Sequence, residues 1–154
     1  MAFTDLLTAT REAAYRGLTV KPGFAVIAPG SEVSWDECCE GMLWVRIASA
    51  EPRYQRGNPS GCPVTLDLEV GVGILRCVTN LGDGGRLPNS DEITADGLVT
   101  ARDMGELYNA LQCFEVPNAM STSLGAWTPL GPQGDCAGGE WMLSVRMGVP
   151  LTWA

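Results

Sequence analysis

Apolar side chains alternate with polar residues and glycines in the middle of the chain, over residues 64–75. A period of two predicts one long strand, with an apolar face that is buried and a second face that meets water or a partner. Asp67 and Glu69 lie on that second face, and Gly71 and Gly73 allow the strand to bend. At about 3.3 Å per residue the strand spans about 40 Å, which is long for a domain of this size.

Two other segments have apolar residues at helical spacing. The first helix is predicted over residues 4–17, with Thr4 as its N-cap. The second is predicted over residues 100–114, where Thr100 and Asp103 resemble a capping box. The apolar stripe of the second helix comprises Met104, Leu107, Tyr108, Leu111 and Phe114.

Short segments rich in β-branched and aromatic residues predict further strands over residues 24–28, 42–47 and 141–147. Segments that are polar or rich in glycine and proline are predicted as loops over residues 52–63, 81–88 and 117–139. The order α-β-β-β-α-β contains no internal repeat and no linker. The fold prediction is therefore a single α+β domain over residues 1–154, with two helices packed on one face of a largely antiparallel, mixed sheet.

The charge balance excludes a nucleic-acid-binding role. The chain has 154 residues, 18 acidic and 10 basic side chains, and a net charge of -8. Lys21 is the single lysine, and the arginines are scattered, whereas gripping a phosphate backbone needs clustered basic residues. An acidic wall could still face DNA without binding it, because like charges repel.

Histidine is absent, which removes the commonest general base, the Ser-His and Cys-His pairs and the imidazole ligands of zinc. Asp67 and Glu69 could in principle act as an acid and base pair, but the alternation alone already places them outward. We therefore expect no catalytic residues. Gly71-Val72-Gly73 lacks the third glycine of a dinucleotide fingerprint and sits inside a strand, so no cofactor is expected.

The cysteines have no Cys-x-x-Cys spacing, so no metal site is predicted. The start of the chain shows no signal peptide, and no stretch approaches the roughly 20 apolar residues of a membrane span. We expect a cytosol-like compartment and reduced thiols, although pairing cannot be read from sequence. The six cysteines are Cys38, Cys39, Cys62, Cys77, Cys113 and Cys136.

Some tryptophans lie in predicted loops or at the C-terminus, namely Trp35, Trp127 and Trp153. They either fill the core or anchor a partner surface, since aromatic residues are enriched at interface centres. Both interpretations stay open at this stage.

Several segments resemble the small neck and tail-joining proteins of long-tailed phages that infect actinobacteria, and the tail terminators most of all. The similarity covers nearly the whole chain. It rests on the first helix, the second helix with Cys113, and three sequence stretches: CCEGMLWVRIASAEP at 38–52, LDLEVGVGILRCV at 66–78 and GPQGDCAGGEWMLSV at 131–145.

The resemblance implies a structural virion protein of the tail and neck, made in the host cytoplasm. It implies a six-fold ring that caps the tail tube and joins it to the head connector, while genomic DNA passes through the lumen without specific binding. Such rings use head-to-tail contacts between two different patches. The family offers no catalytic residues.

The alternatives are another neck component, such as a head-closure or adaptor protein, and, from a different class, a small soluble enzyme that uses Asp67 and Glu69 or a cysteine nucleophile. On the ring interpretation, subunit and partner contacts are expected on the predicted loop segments 53–61, 81–88 and 124–136 and on the outer face of residues 67–75. The candidate interface residues are Arg53, Arg56, Arg86, Asp67, Glu69, Trp127 and Trp35.

Overall fold

A computed structural model of the chain describes residues 2–30, 33, 40–54, 56, 61, 63–79 and 87–148. These residues form a mixed five-stranded sheet with strand order β1-β2-β3-β5-β4, in which β1 runs parallel to β2 and the other pairs are antiparallel. The predicted α+β fold class is confirmed. The elements are α1 (Ala2–Gly17), β1 (Phe24–Ile27), β2 (Met42–Arg53), β3 (Thr65–Cys77), α2 (Ser90–Leu111), β4 (Ala119–Gln133) and β5 (Cys136–Gly148).

The main core lies between the two helices and the face of the sheet that we call the helix face. Strand β3 sits at the centre of the sheet, and its alternating apolar residues Leu68, Val70, Val72 and Ile74 are all buried there, as the period of two predicts. The helices contribute Leu6, Ala14, Leu107 and Leu111 to the same cluster, and Leu18, directly after α1, joins them.

Helix α2 begins at Ser90 and not at Thr100, so its predicted start was wrong. Its N-terminus is closed by a capping box: the Asn89 side chain accepts a hydrogen bond from the Glu92 amide (2.9 Å), and the Glu92 carboxylate accepts one from the Asn89 amide (2.9 Å). Residues 90–102 include no buried side chain, and the first buried position is Asp103. The apolar pattern therefore marked only the half of α2 that packs on the core.

The predicted loop over residues 117–139 was also wrong, because it contains β4 and the start of β5. Strand β4 is an edge strand with three register irregularities along β5. Bulges, glycines and prolines such as Pro129 are tolerated on an edge, where outward N–H groups need no partner. At the other side, β2 continues to Arg53, so the predicted loop beginning at residue 52 starts later.

Trp127 lies in β4 and not in a loop, and it packs on the helix face. Its ring centroid is 5.6 Å from that of Trp141, whose indole nitrogen donates to the Met104 carbonyl (3.0 Å). A Cβ at Gly139 would overlap the Trp127 indole, so this strand position requires glycine. The structure thus favours the core interpretation of Trp127.

Cys77 and Cys136 each take part in a disulfide bond, which contradicts the expectation of reduced thiols for these two residues. Cys113, just after α2, is free and exposed.

Neither helix in the described part of the chain is long and apolar enough to cross a membrane.

Candidate assembly surfaces

The second face of the sheet, opposite the helices, is called the open face here. Antiparallel partners point to the same side of a sheet, so the strand register arranges the open face in rows. One row joins Trp44, Gly73, Glu140 and Thr128 across four strands. Rows nearer the start of β3 are polar throughout. The open face therefore has two ends of different chemistry.

The closed end of the open face is buried around Trp44 and Glu140. Glu140 accepts hydrogen bonds from the Trp44 indole (2.7 Å) and from Arg46 through Nε (2.8 Å) and Nη2 (2.6 Å). The hydrogen bond to Glu140 raises the pKa of Arg46 and outweighs the opposite effect of burial. The Trp44 indole lies directly over Gly73, where a Cβ would overlap it. This end is a satisfied structural cluster.

Part of the predicted contact face is therefore not accessible. We expected contacts along the outer face of residues 67–75, yet Gly71, Gly73 and Leu75 are buried. The side chains of Trp44 and Glu140 cover the two glycines. Only the first part of that face, around Asp67 and Glu69, meets solvent.

That accessible part forms an open depression of about 300 Å³, which we call the polar groove. Arg146 binds Asp67 in bidentate fashion (2.7 and 3.0 Å), and Arg53 binds the same carboxylate (2.9 Å). Ser144 donates to Glu69 (2.8 Å). The polar side chains lining the groove are Ser49, Glu51, Arg53, Asp67, Glu69, Ser121, Ser123, Ser144 and Arg146.

The charges of the polar groove stay hydrated. The Arg146 and Asp67 side chains keep 51% and 23% of their surface accessible, against 13% and 10% for Arg46 and Glu140. The hydrogen bond from Arg146, followed by that from Arg53, holds the pKa of Asp67 well below its usual range. Asp67 is consequently ionised at every physiological pH, and the groove offers charges of both signs to a partner.

The structure brings together Arg53, Asp67 and Glu69 of the predicted interface residues. Arg56 is exposed in a turn after β2, and Trp127 lies on the other face of the sheet. The remaining two, Trp35 and Arg86, lie outside the described residues. Sequence reasoning missed Arg146 and Ser144. Their alternation places them on one strand face, but which strand lies beside them is set by pairing that a single sequence does not show.

A second surface, the edge groove, lies between α1 and the edge strand β1. It has a volume of about 470 Å³, and its accessible lining is mostly apolar. Ile27 shares the strand face of Ala25 and continues this surface, since it is exposed, whereas Phe24 and Val26 pair with Met42 and Trp44 and lie on the open face. The residues lining the edge groove are Arg11, Glu12, Tyr15, Arg16 and Ala25.

A third surface is the unburied first part of α2, residues 90–102, which we call the α2 arm. Ile93 is 57% and Leu98 67% exposed. At 1.5 Å per residue the arm is about 20 Å long. The Asp96 carboxylate accepts a hydrogen bond from the Thr79 amide (2.7 Å), which ties the arm to the segment following β3. The arm therefore presents large apolar side chains on a helix fixed at two points, its packed half and Thr79.

Within the described ranges, no group of three or more His, Cys, Asp or Glu side chains is arranged to hold a metal ion. No family model matches the chain, and a search of curated proteins finds no significant relative.

Proposed function

We propose that this protein is a structural component of a phage tail joint, a tail terminator that forms a ring on the tail tube and receives the head connector. The proposal begins from the sequence resemblance, and one structural observation supports it most strongly. The chain exposes two separate apolar surfaces, the edge groove and the α2 arm.

Two different surfaces are what a closed ring of identical subunits requires. In a head-to-tail ring each subunit contributes one patch to the neighbour on each side, so the patches must be distinct. Clustered exposed apolar side chains commonly mark protein contacts. Tyr15 and Ile27 at one site, with Ile93 and Leu98 at the other, meet this requirement.

The polar groove is suited to a third contact, with the ring above or below. Exposed ion pairs at an interface rim contribute more to orientation and association rate than to affinity. Arg53, Asp67 and Arg146 already hold a fixed geometry before any partner arrives. We therefore assign this groove to docking on tube or connector protein, with the net charge of -8 limiting DNA adhesion in the lumen.

The experiment is an assembly assay with purified full-length protein and purified tail-tube protein. We expect rings of the protein alone or rings capping tube ends, seen by negative-stain imaging and weighed by light scattering. Rings that bind the connector but never the tube would instead indicate the alternative, a head-closure or adaptor protein. A monomer inert towards both proteins would contradict the proposal.

The enzyme alternative makes a different prediction about Cys113, the free, exposed cysteine of the described part. A thiol enzyme needs a nucleophile with a depressed pKa, which reacts far faster than an ordinary thiol. A ring protein does not. We expect Cys113 to be alkylated by iodoacetamide at the rate of a small-molecule thiol, and a rate about 100-fold higher would favour the enzyme.

A further inference from the structure

We propose that the edge groove is the docking site for the α2 arm of a second copy of this chain. The inference rests on the proposed function, because it names the contact that closes the ring. Three properties of the two surfaces support this pairing: their charges, their apolar character and their placement.

Charge complementarity is the first reason. The α2 arm contains Asp91, Glu92 and Asp96 and no basic residue before Arg102. The opposite balance holds at the edge groove, because Arg11 and Arg16 line it with Glu12, and Lys21 lies beside the lining residue Tyr15. Three of only ten basic residues thus lie close together in an acidic chain, beside an apolar groove.

The apolar match is the second reason. Tyr15 and Ala25 give the edge groove its apolar lining, and Ile93 and Leu98 stand exposed on the arm. A helix that inserts exposed apolar side chains into an apolar groove, with charges at the rim of the groove, is a recurrent mode of protein recognition. The Lys21 ammonium group is held by the Tyr15 (2.8 Å) and Leu18 (2.6 Å) carbonyls and lies 5.2 Å from the Tyr15 ring centroid, which fixes a positive charge beside the groove.

Placement is the third reason. The packed half of α2 meets the end of α1, where Glu106 accepts hydrogen bonds from the Thr19 amide and hydroxyl. From there the arm runs to Thr79, beyond the end of β3. None of the described arm residues lines the groove of its own chain. Each copy therefore offers one arm and one groove at different places, which permits head-to-tail closure.

The test begins with two variants of the full chain. Leu98→Asp disables the arm, and its matched control is Met120→Asp, since Met120 is similarly exposed (65%) but lies on β4. The double variant Arg11→Glu/Arg16→Glu disables the groove. We expect Leu98→Asp and the double variant to raise the concentration for half-assembly at least about tenfold, and Met120→Asp to leave it unchanged. Circular dichroism confirms that each variant is folded.

Mixing gives the sharpest result. A Leu98→Asp chain keeps an intact groove, and an Arg11→Glu/Arg16→Glu chain keeps an intact arm. An equimolar mixture should therefore form dimers through the one intact pair and no rings, because neither remaining surface has a partner. Light scattering distinguishes a dimer from a ring directly.

Exchanging the charges of the arm and the groove tests whether the lost assembly can be restored. Asp91→Lys should weaken assembly, and its control is Glu115→Lys, the same charge change at an exposed site after α2. Combining Asp91→Lys with Arg11→Glu/Arg16→Glu in one chain should restore part of the lost assembly.

The outcomes separate the two proposals. If the wild type assembles, alone or on tube protein, while Leu98→Asp behaves like Met120→Asp and the mixture forms rings, the arm-and-groove contact is wrong and the ring function stands. If the wild type stays monomeric under both conditions, the ring function fails and the contact fails with it.

Discussion

Two arginine–carboxylate pairs lie on the open face of one sheet, and they differ in their surroundings. Arg46 and Glu140 are enclosed beside Trp44, and every oxygen of the carboxylate has a donor. Arg146 and Asp67 are also bidentate, but both remain accessible to solvent. The same chemistry is therefore structural at one end of the face and available to a partner at the other.

The difference teaches that geometry alone does not separate a structural ion pair from a contact site. A buried charge whose partner is removed is left without compensation, whereas an exposed charge is taken up by water. The closed end should control folding, and the polar groove should control docking.

The largest effect is expected at the closed end. Glu140→Gln removes the charge that compensates Arg46 while keeping the shape of the side chain. Breaking a buried pair in this way costs about 3 kcal/mol of unfolding free energy. Urea titration followed by tryptophan fluorescence measures it. An unfolding free energy within error of the wild type would show that this end is not structural.

Trp127 tests the same division on the helix face, because its sequence interpretation left both roles open. Trp127→Ala removes a ring that packs on Gly139 and Trp141, and we expect a loss of about 2 kcal/mol. Met120→Ala on the same strand is the control, since Met120 is exposed and its loss should cost less than about 0.5 kcal/mol. If both substitutions lower the unfolding free energy by equally small amounts, Trp127 is not a core residue and is again a candidate for the interface.

The sequence predicts a helix or strand well where that element packs on the core, and poorly where it does not. Strand β3 is centred in the sheet, so its alternation gave bounds of 64–75 against Thr65–Cys77. Helix α2 was predicted only where it packs, because residues 90–102 contain no buried side chain and the exposed Ile93 and Leu98 do not repeat at helical spacing. Strand β4 was missed because an edge tolerates the Pro129 and Gly131 that typify loops.

The candidate sites were predictable to a smaller degree. Asp67 and Glu69 followed from periodicity, but the burial of Gly73 and Leu75 depends on Trp44 and Glu140, which come from other strands. The edge groove forms where α1 packs on β1, and no local sequence pattern predicts a surface shared by two elements. Tertiary pairing, and not local propensity, decides these positions.

The smallest effect is expected from pH at Asp67. Because the folded pKa of Asp67 is depressed, its contribution to stability is complete above the unfolded value of about 4 and is lost as the pH falls through the folded value. The stability difference between the wild type and Asp67→Asn should stay constant from about pH 5 to 8 and shrink below about pH 4. A difference that instead changes between pH 5 and 8 would contradict the ion pair.

The central claim is that the chain builds a ring, and solution mass tests it most directly. Light scattering of the full-length protein across a concentration series, alone and with tail-tube protein, should show a transition from monomer to a single closed oligomer, with rings in negative stain. A monomer at every concentration and in both conditions would contradict the account.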